Sequence, residues 1–245
     1  MKRLIAFLTV ICLLTGLLAG CGVSQDAYDA LLEDYEELKE KYDALVEKTE
    51  AEETDPTDPS DPSDPTEPTD DNKPAGYVVE MVITGYGKIT LQLDRTAAPI
   101  TVDNFVMLVQ EGFYDGLTFH RIIEGFMMQG GDPWGNGYGG SDTEIKGEFA
   151  ANGWNNPISH VRGVISMARN GYSYDSASSQ FFIMHEDYTG LDGQYAAFGW
   201  VTEGMEVVDA ICESAVPSDS NGSIPAANQP RIESITIVDE LDSIG

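Results

Sequence analysis

Basic residues are scarce in this chain. Lys and Arg total 13 against 42 Asp and Glu, a formal net charge of −29. Phosphate backbones are bound by clustered cations, so nucleic acid is excluded as a partner. Acidity of this degree implies solubility and mutual repulsion and names no substrate. Cysteine is nearly absent as well. Cys12 and Cys21 fall in the first segment, which leaves Cys212 without an internal disulfide partner. Cys212 lies in VVDAICESA, whose helical, half-buried pattern suits a packed thiol rather than a nucleophile. The three histidines, His120, His160 and His185, show none of the spacings of a zinc or facial-triad site. No G-x-S-x-G elbow supports a serine triad, and GNGYGG neither leaves a strand nor opens a helix, so it reads as a turn rather than a dinucleotide site. Acids are too numerous for a glycosidase pair to stand out. No cofactor or metal is implied.

No apolar run reaches the roughly 20 residues of a spanning helix, but a shorter one opens the chain. Met1, Lys2 and Arg3 precede an apolar stretch from Leu4 to Leu18, broken only by Thr9, Thr15 and Gly16. A basic tip, a short apolar stretch and small residues at its end describe a secretory signal. Its last four residues, LAGC, match the bacterial lipoprotein signal. The expectation is that residues 1–20 are removed and that Cys21 becomes an acylated N-terminus, the alternative being an ordinary secretory signal that contains a cysteine. Each buried methylene of an acyl chain contributes about 0.8 kcal/mol, so several chains would hold the protein on the extracytoplasmic face of a membrane.

Within residues 21–53, Tyr28, Leu31, Tyr35, Leu38, Tyr42 and Leu45 alternate three and four apart, as in a coiled coil. The repeat is short of four heptads and fits either a self-association segment or a lone amphipathic stalk. Residues 54–75 contain TDPTDPSDPSDPTEPTD, with proline at every third position among acids. Missing backbone donors and like-charge repulsion predict an extended, disordered spacer, able to span about 50 Å.

Composition shifts at Gly76, where a globular domain over 76–245 is expected. YVVEMVIT and KITLQLD alternate around GYG and predict a β-hairpin. A helix is expected over Pro99–Gln110 with Phe105, Leu108 and Val109 inward. Strands are expected at LTFHRII, GFMMQGG, GVISMA, SQFFIMH and AAFGWV, then a helix from Met205 to Glu213 and a closing strand RIESITIV. Many short strands, glycine-rich turns and two helices predict a mainly β fold, a closed antiparallel eight-stranded barrel.

Three blocks stand out: FHRIIEGFMMQGGD, Phe119–Asp132; GVISMARNGYSYDSASSQFFI, Gly163–Ile183; and LDGQYAAFGWVTEGMEVVDAI, Leu191–Ile211. Each alternates large apolar residues with a few polar ones, Arg121, Gln129 and Gln180, a composition suited to a shallow apolar pocket with donors at its rim. In order and residue type these blocks resemble the cyclophilins. The resemblance runs from about Gly76 to Asp239 and implies peptidyl-prolyl cis-trans isomerase activity without a cofactor. By position it places the catalytic arginine at Arg121, with Phe126 and Gln129 beside it. Substrate-binding positions fall on Met127, Ala168, Arg169, Gln180, Phe182, Leu191 and Tyr195. Arg169 stands where the family often has asparagine and uses main-chain groups. Gly190 replaces a tryptophan on which the family's cyclic-peptide inhibitor bears. Tyr195, where many members have a histidine nearby, keeps a ring to wall the pocket.

The implied partners are proline-containing segments of exported proteins during folding, and a membrane through the N-terminal lipid. Two other functions fit parts of the chain: a proline-segment binding module without turnover, and a structural surface lipoprotein whose stalk is the working part. Strand alternation would turn His120 to the face opposite Arg121, in a structural role.

Overall fold

A computed structural model describes residues 73–244 of the protein. The signal sequence, Cys21, the heptad segment and nearly all of the spacer lie outside the described residues. Among the described residues no helix is long and apolar enough to cross a membrane.

The hairpin expected at the start of the domain forms strands β1 (Gly76–Ile83) and β2 (Gly87–Asp94), paired antiparallel. Period-two alternation sends Val79, Met81, Ile83, Ile89, Leu91 and Leu93 into the core. Helix α1 (Pro99–Gln110) follows, and its proline at the first turn sacrifices no intrahelical bond because that N–H has no partner in any helix. Ala98 at the N-cap has no acceptor side chain. The caps come from far along the chain instead, since the backbone N–H groups of Ile100 and Thr101 donate to the two carboxylate oxygens of Glu148 at 2.9 and 2.7 Å. Burial pushes the Glu148 carboxyl up from the usual carboxylate range, and the two backbone donors offset only part of that.

Six further strands complete the sheet: β3 (Thr118–Ile123), β4 (Met127–Asp132), β5 (Val164–Met167), β6 (Phe181–Met184), β7 (Ala197–Glu203) and β8 (Ile232–Leu241). Helix α2 (Met205–Ser214) lies between the last two. The strand order is β3-β4-β6-β5-β7-β2-β1-β8, with antiparallel neighbours throughout.

The expected closed barrel is realised as a curled sheet with two ends. Edge strand β3 meets the residue just before β8 through an isolated bridge, Thr118 with Arg231, flanked by Phe119 N–H donating to Pro230 and Ile232 N–H donating to Leu117. Farther along β3 the α2–β8 connection takes the place of a strand: Ile122 N–H donates to Gly222 and Ile224 N–H donates to His120. A connection laid on that edge leaves no room for a β3–β8 ladder.

Two apolar clusters divide the sheet's side chains. Met128, Ile165, Phe181, Ile183 and Phe198 join the main core with α1 and α2. Their neighbours in sequence, Met127, Val164, Phe182, Met184 and Ala197, form a second cluster on the opposite face. Cys212 is buried on α2 in the main core, and burial pushes its thiol up to about 12, so it packs as an apolar group.

Replacing Glu148 by alanine strands one buried and one part-buried N–H donor, at about 1–3 kcal/mol each. Urea unfolding of Glu148→Ala is expected to show a midpoint shift worth at least about 2 kcal/mol at unchanged m-value.

Candidate active site

Strand register sets the site. Arg121 on β3 pairs with Gln129 on β4, Gln129 with Phe182 on β6, and Phe182 with Ser166 on β5. Cross-strand partners share a face, so these side chains form one row on the side of the second cluster.

Plain alternation would not put Arg121 there. Phe119 and Ile122 both point into the main core, which a regular strand forbids. The register shifts between Phe119 and Arg121, leaving His120 as an extra residue in a β-bulge. That bulge re-aims Arg121 by one position. A second shift, between Thr118 and Phe119, falls opposite Gly131. Gly131 has φ of +82°, and a Cβ there would lie 2.5 Å from the Ser179 carbonyl oxygen, so only glycine fits.

A relay of hydrogen bonds orients the guanidinium. Arg121 Nη1 donates to Gln129 Oε1 at 3.3 Å, Gln129 Nε2 donates to Gln180 Oε1 at 2.9 Å, and Gln180 Nε2 donates to the Gly139 carbonyl at 2.7 Å. Arg121 Nε donates to the Asn221 carbonyl at 2.7 Å. Burial draws Arg121 down from the usual arginine range, opposed by Tyr195 and Asp219, yet a guanidinium remains charged at neutral pH.

Beside it lies a cavity of about 150 Å³ lined by Arg121, Phe126, Met127, Gln129, Ala168, Arg169, Phe182, Leu191 and Tyr195. These are the residues expected to make the site, with one exception. Gln180 lines an adjoining cavity of about 380 Å³, which shares Gln129, Ala168 and Arg169 with the first. The smaller cavity is apolar at its base, where Met127 and Phe182 are buried, and cationic at its rim.

Arg169 engages more than its main chain. Its guanidinium lies over the rings of Tyr195, Tyr174 and Phe149 at 4.8, 5.0 and 5.3 Å, and its Nε donates to the Gln194 carbonyl at 3.0 Å. It thereby braces the Tyr195 wall.

The histidines stand behind the pocket rather than in it. His120 is buried against Gly137, with neither ring nitrogen bonded among the described residues; burial draws it down, so it is neutral at pH 7. His185 Nδ1 accepts from Gly125 N–H at 2.9 Å, and the His185 backbone N–H donates to the Phe126 carbonyl, fixing the turn that carries Phe126. His160 is buried between Asp192 and Ser166.

The stretch read as a glycine turn, GNGYGG, frames the larger cavity through Gly137, Tyr138, Gly139 and Gly140. Its signal was present in sequence, since repeated glycines expose carbonyls, here the acceptors for Gln180. The stretch is held by Asp132, 1% exposed, whose carboxylate accepts from Trp134, Asn136 and Gly137 N–H at 2.8, 2.9 and 2.6 Å. Burial alone would raise this carboxyl, but the backbone donors outweigh it and hold it below the usual carboxylate range. A depressed native value means stability that is complete above the unfolded-state value and is lost as pH falls through the native one. Asp132→Asn is therefore expected to lose about 2 kcal/mol at pH 7 and to flatten the acid limb of a stability-versus-pH curve below about pH 4. Thermal melts across that range check both.

Comparison with known proteins places the fold in a family. The family described as "Cyclophilin type peptidyl-prolyl cis-trans isomerase/CLD" matches residues 78–237. A peptidyl-prolyl cis-trans isomerase of Helicobacter pylori (strain J99) is 48% identical over 130 residues, 52% of this chain and 76% of that protein. Peptidyl-prolyl cis-trans isomerase B of Bacillus subtilis (strain 168) is 49% identical over 129 residues, 50% of this chain and 86% of that protein. A crystal structure of a cyclophilin-type isomerase from Cryptosporidium parvum, in the presence of the dipeptide Ala-Pro, superimposes with a TM-score of 0.58 at 29% identity, covering 66% of this chain and 99% of that one. With its match spanning β1 to β8 and its pocket residues gathered on one face of the sheet, the chain belongs to the cyclophilin-type peptidyl-prolyl cis-trans isomerases, an isomerase class of enzyme.

Proposed function

We propose that this chain accelerates rotation about X-Pro bonds in exported proteins as they fold, at the outer face of a membrane to which Cys21 anchors it. The observation that carries the catalytic part is the charged Arg121, oriented by Gln129 and Gln180 at the rim of a small apolar pocket.

A peptide bond resists rotation by about 18–20 kcal/mol because the nitrogen lone pair is shared with the carbonyl. At proline the two isomers lie close in energy but exchange over tens of seconds or longer. No σ bond breaks, so neither nucleophile nor metal is required. Lowering the barrier means stabilising the twisted amide, in which the lone pair returns to nitrogen. Phe126, Met127, Phe182 and Leu191 would grip the proline ring while Arg121 offers an N–H toward that nitrogen. Its Nη2 forms no bond with a described residue, whereas Nε and Nη1 are committed to Asn221 and Gln129. Because the relay fixes the guanidinium beforehand, little reorganisation is left for the moment of twisting. Each tenfold in rate requires about 1.4 kcal/mol of preferential stabilisation.

The anchoring part rests on sequence alone: the basic tip, the short apolar stretch and LAGC ahead of Cys21, with residues 21–75 as the tether. Retention of Arg121 together with Gln129 favours turnover over passive binding, since holding a proline ring does not call for a cation at the nitrogen.

With a short X-Pro peptide, Arg121→Ala is expected to lower kcat/KM at least about 100-fold, near 2.7 kcal/mol, and Gln129→Ala about tenfold. Retained activity in a folded Arg121→Ala protein would sink the mechanism. Membrane fractionation of a bacterial host should find the wild-type chain with the membranes and Cys21→Ser in the soluble fraction. Equal partitioning of the two would dispose of the lipid anchor.

A further inference from the structure

We infer that His160 is a positioning residue for the reaction, one that sets the width of the proline pocket by tying its loop wall to its strand floor. The inference rests on the isomerase reading above and goes beyond it.

Leu191 and Tyr195 reach the pocket from the connection between β6 and β7. That connection contains only a single 3-10 turn, Thr189–Leu191, and no strand pairing. Arg169 and the Ala151 N–H hold its far end at Gln194 and Gly193, and residues 159 and 160 hold the part around Leu191. The Ser159 hydroxyl donates to Asp192 Oδ2 at 2.5 Å, and the His160 backbone N–H donates to Asp192 Oδ1 at 2.7 Å. The His160 carbonyl accepts from Tyr188 N–H at 2.8 Å. Leu191 is thus held on both sides, at Tyr188 and at Asp192.

The imidazole carries this grip across to the sheet. Nδ1 lies 2.9 Å from Asp192 Oδ1 and Nε2 lies 3.0 Å from Ser166 Oγ on β5. A carboxylate can only accept, so the proton sits on Nδ1, and Nε2 accepts from the Ser166 hydroxyl. The ring also stacks on Phe182 at 6.0 Å and 18°, and Phe182 meets Tyr195 edge-on at 5.8 Å. One side chain, 1% exposed, therefore touches what holds Leu191 and what forms the floor. The bond pattern is that of a Ser-His-Asp triad, but Ser166 is fully buried within β5 and no substrate carbonyl can approach it. Positioning is the role left to it.

A wall that grips the proline ring acts on the planar and twisted states alike, so its loss should appear in KM, whereas loss of Arg121 appears in kcat. In the full chain, Asp192→Ala is expected to raise KM for an X-Pro peptide about five- to tenfold with kcat within about twofold of wild type. Asp192→Asn, whose amide oxygen still accepts from His160, should recover most of that loss. If His160 and Asp192 merely stabilise the fold, the melting temperature and the apparent kcat fall together and KM stays at the wild-type value, which overturns the inference. Should Asp192→Ala fail to fold, His160→Gln, which keeps the backbone donor to Asp192 but removes the ring between Asp192 and Ser166, must raise KM measurably; a wild-type KM there overturns it too. An inactive wild-type chain overturns the isomerase reading itself, whereas an active one with unchanged KM in the folded variants overturns only this role.

Discussion

Strands β4, β5, β6 and β7 carry apolar side chains on both faces, and the molecule is organised around that constraint. One face completes the main core with the two helices, and the other would expose Met127, Val164, Phe182 and Met184 to water if nothing covered it. Cover comes from Leu191, Tyr195, Phe126 and Ile158, yet it is incomplete, and the gap is the pocket. At about 25 cal/mol per Å² of apolar surface, leaving that gap open costs stability which a proline ring would restore on entering.

A cation at the edge of such a cluster has to be held in one direction. Arg121 reaches the correct face because β3 carries an extra residue at His120, and its orientation is maintained by a chain of amides ending on glycine carbonyls. Those glycines are in turn folded around the Asp132 carboxylate. Disturbance of the glycine loop therefore reaches Arg121 through Gln180 and Gln129. Behind the pocket His185 steadies Phe126, and at its rim Arg169 braces Tyr195. The polar residues around the pocket serve largely to keep its apolar surfaces in register.

Much of this was legible in the sequence. The hairpin, α1 and the places of the strands along the chain follow from alternation and turn residues, and the three motif blocks carry every residue that lines the smaller cavity. The errors have physical causes. Closure was expected because eight short strands commonly form a barrel, but the loop around Gly222 pairs with the edge of β3, and loop pairing leaves no periodic trace. The bulge at His120 was invisible because FHRII alternates acceptably in either register. Gln180 lines the adjoining cavity, and its link to Arg121 runs through Gln129, a contact that neither position shows by itself.

The sequence by itself determined the elements and their chemistry: which stretches alternate, where glycine permits a turn, and that one arginine accompanies two glutamines and a set of apolar residues in a recognisable order. Those are local properties, set by side-chain type and by the two-residue period of a strand. Tertiary structure alone decided which face Arg121 occupies, that Glu148 caps a helix 48 residues earlier in the chain, and that His160 joins Asp192 to Ser166 behind Phe182. Each depends on register between distant segments, and register is an outcome of packing the whole sheet at once. No short window of sequence encodes it.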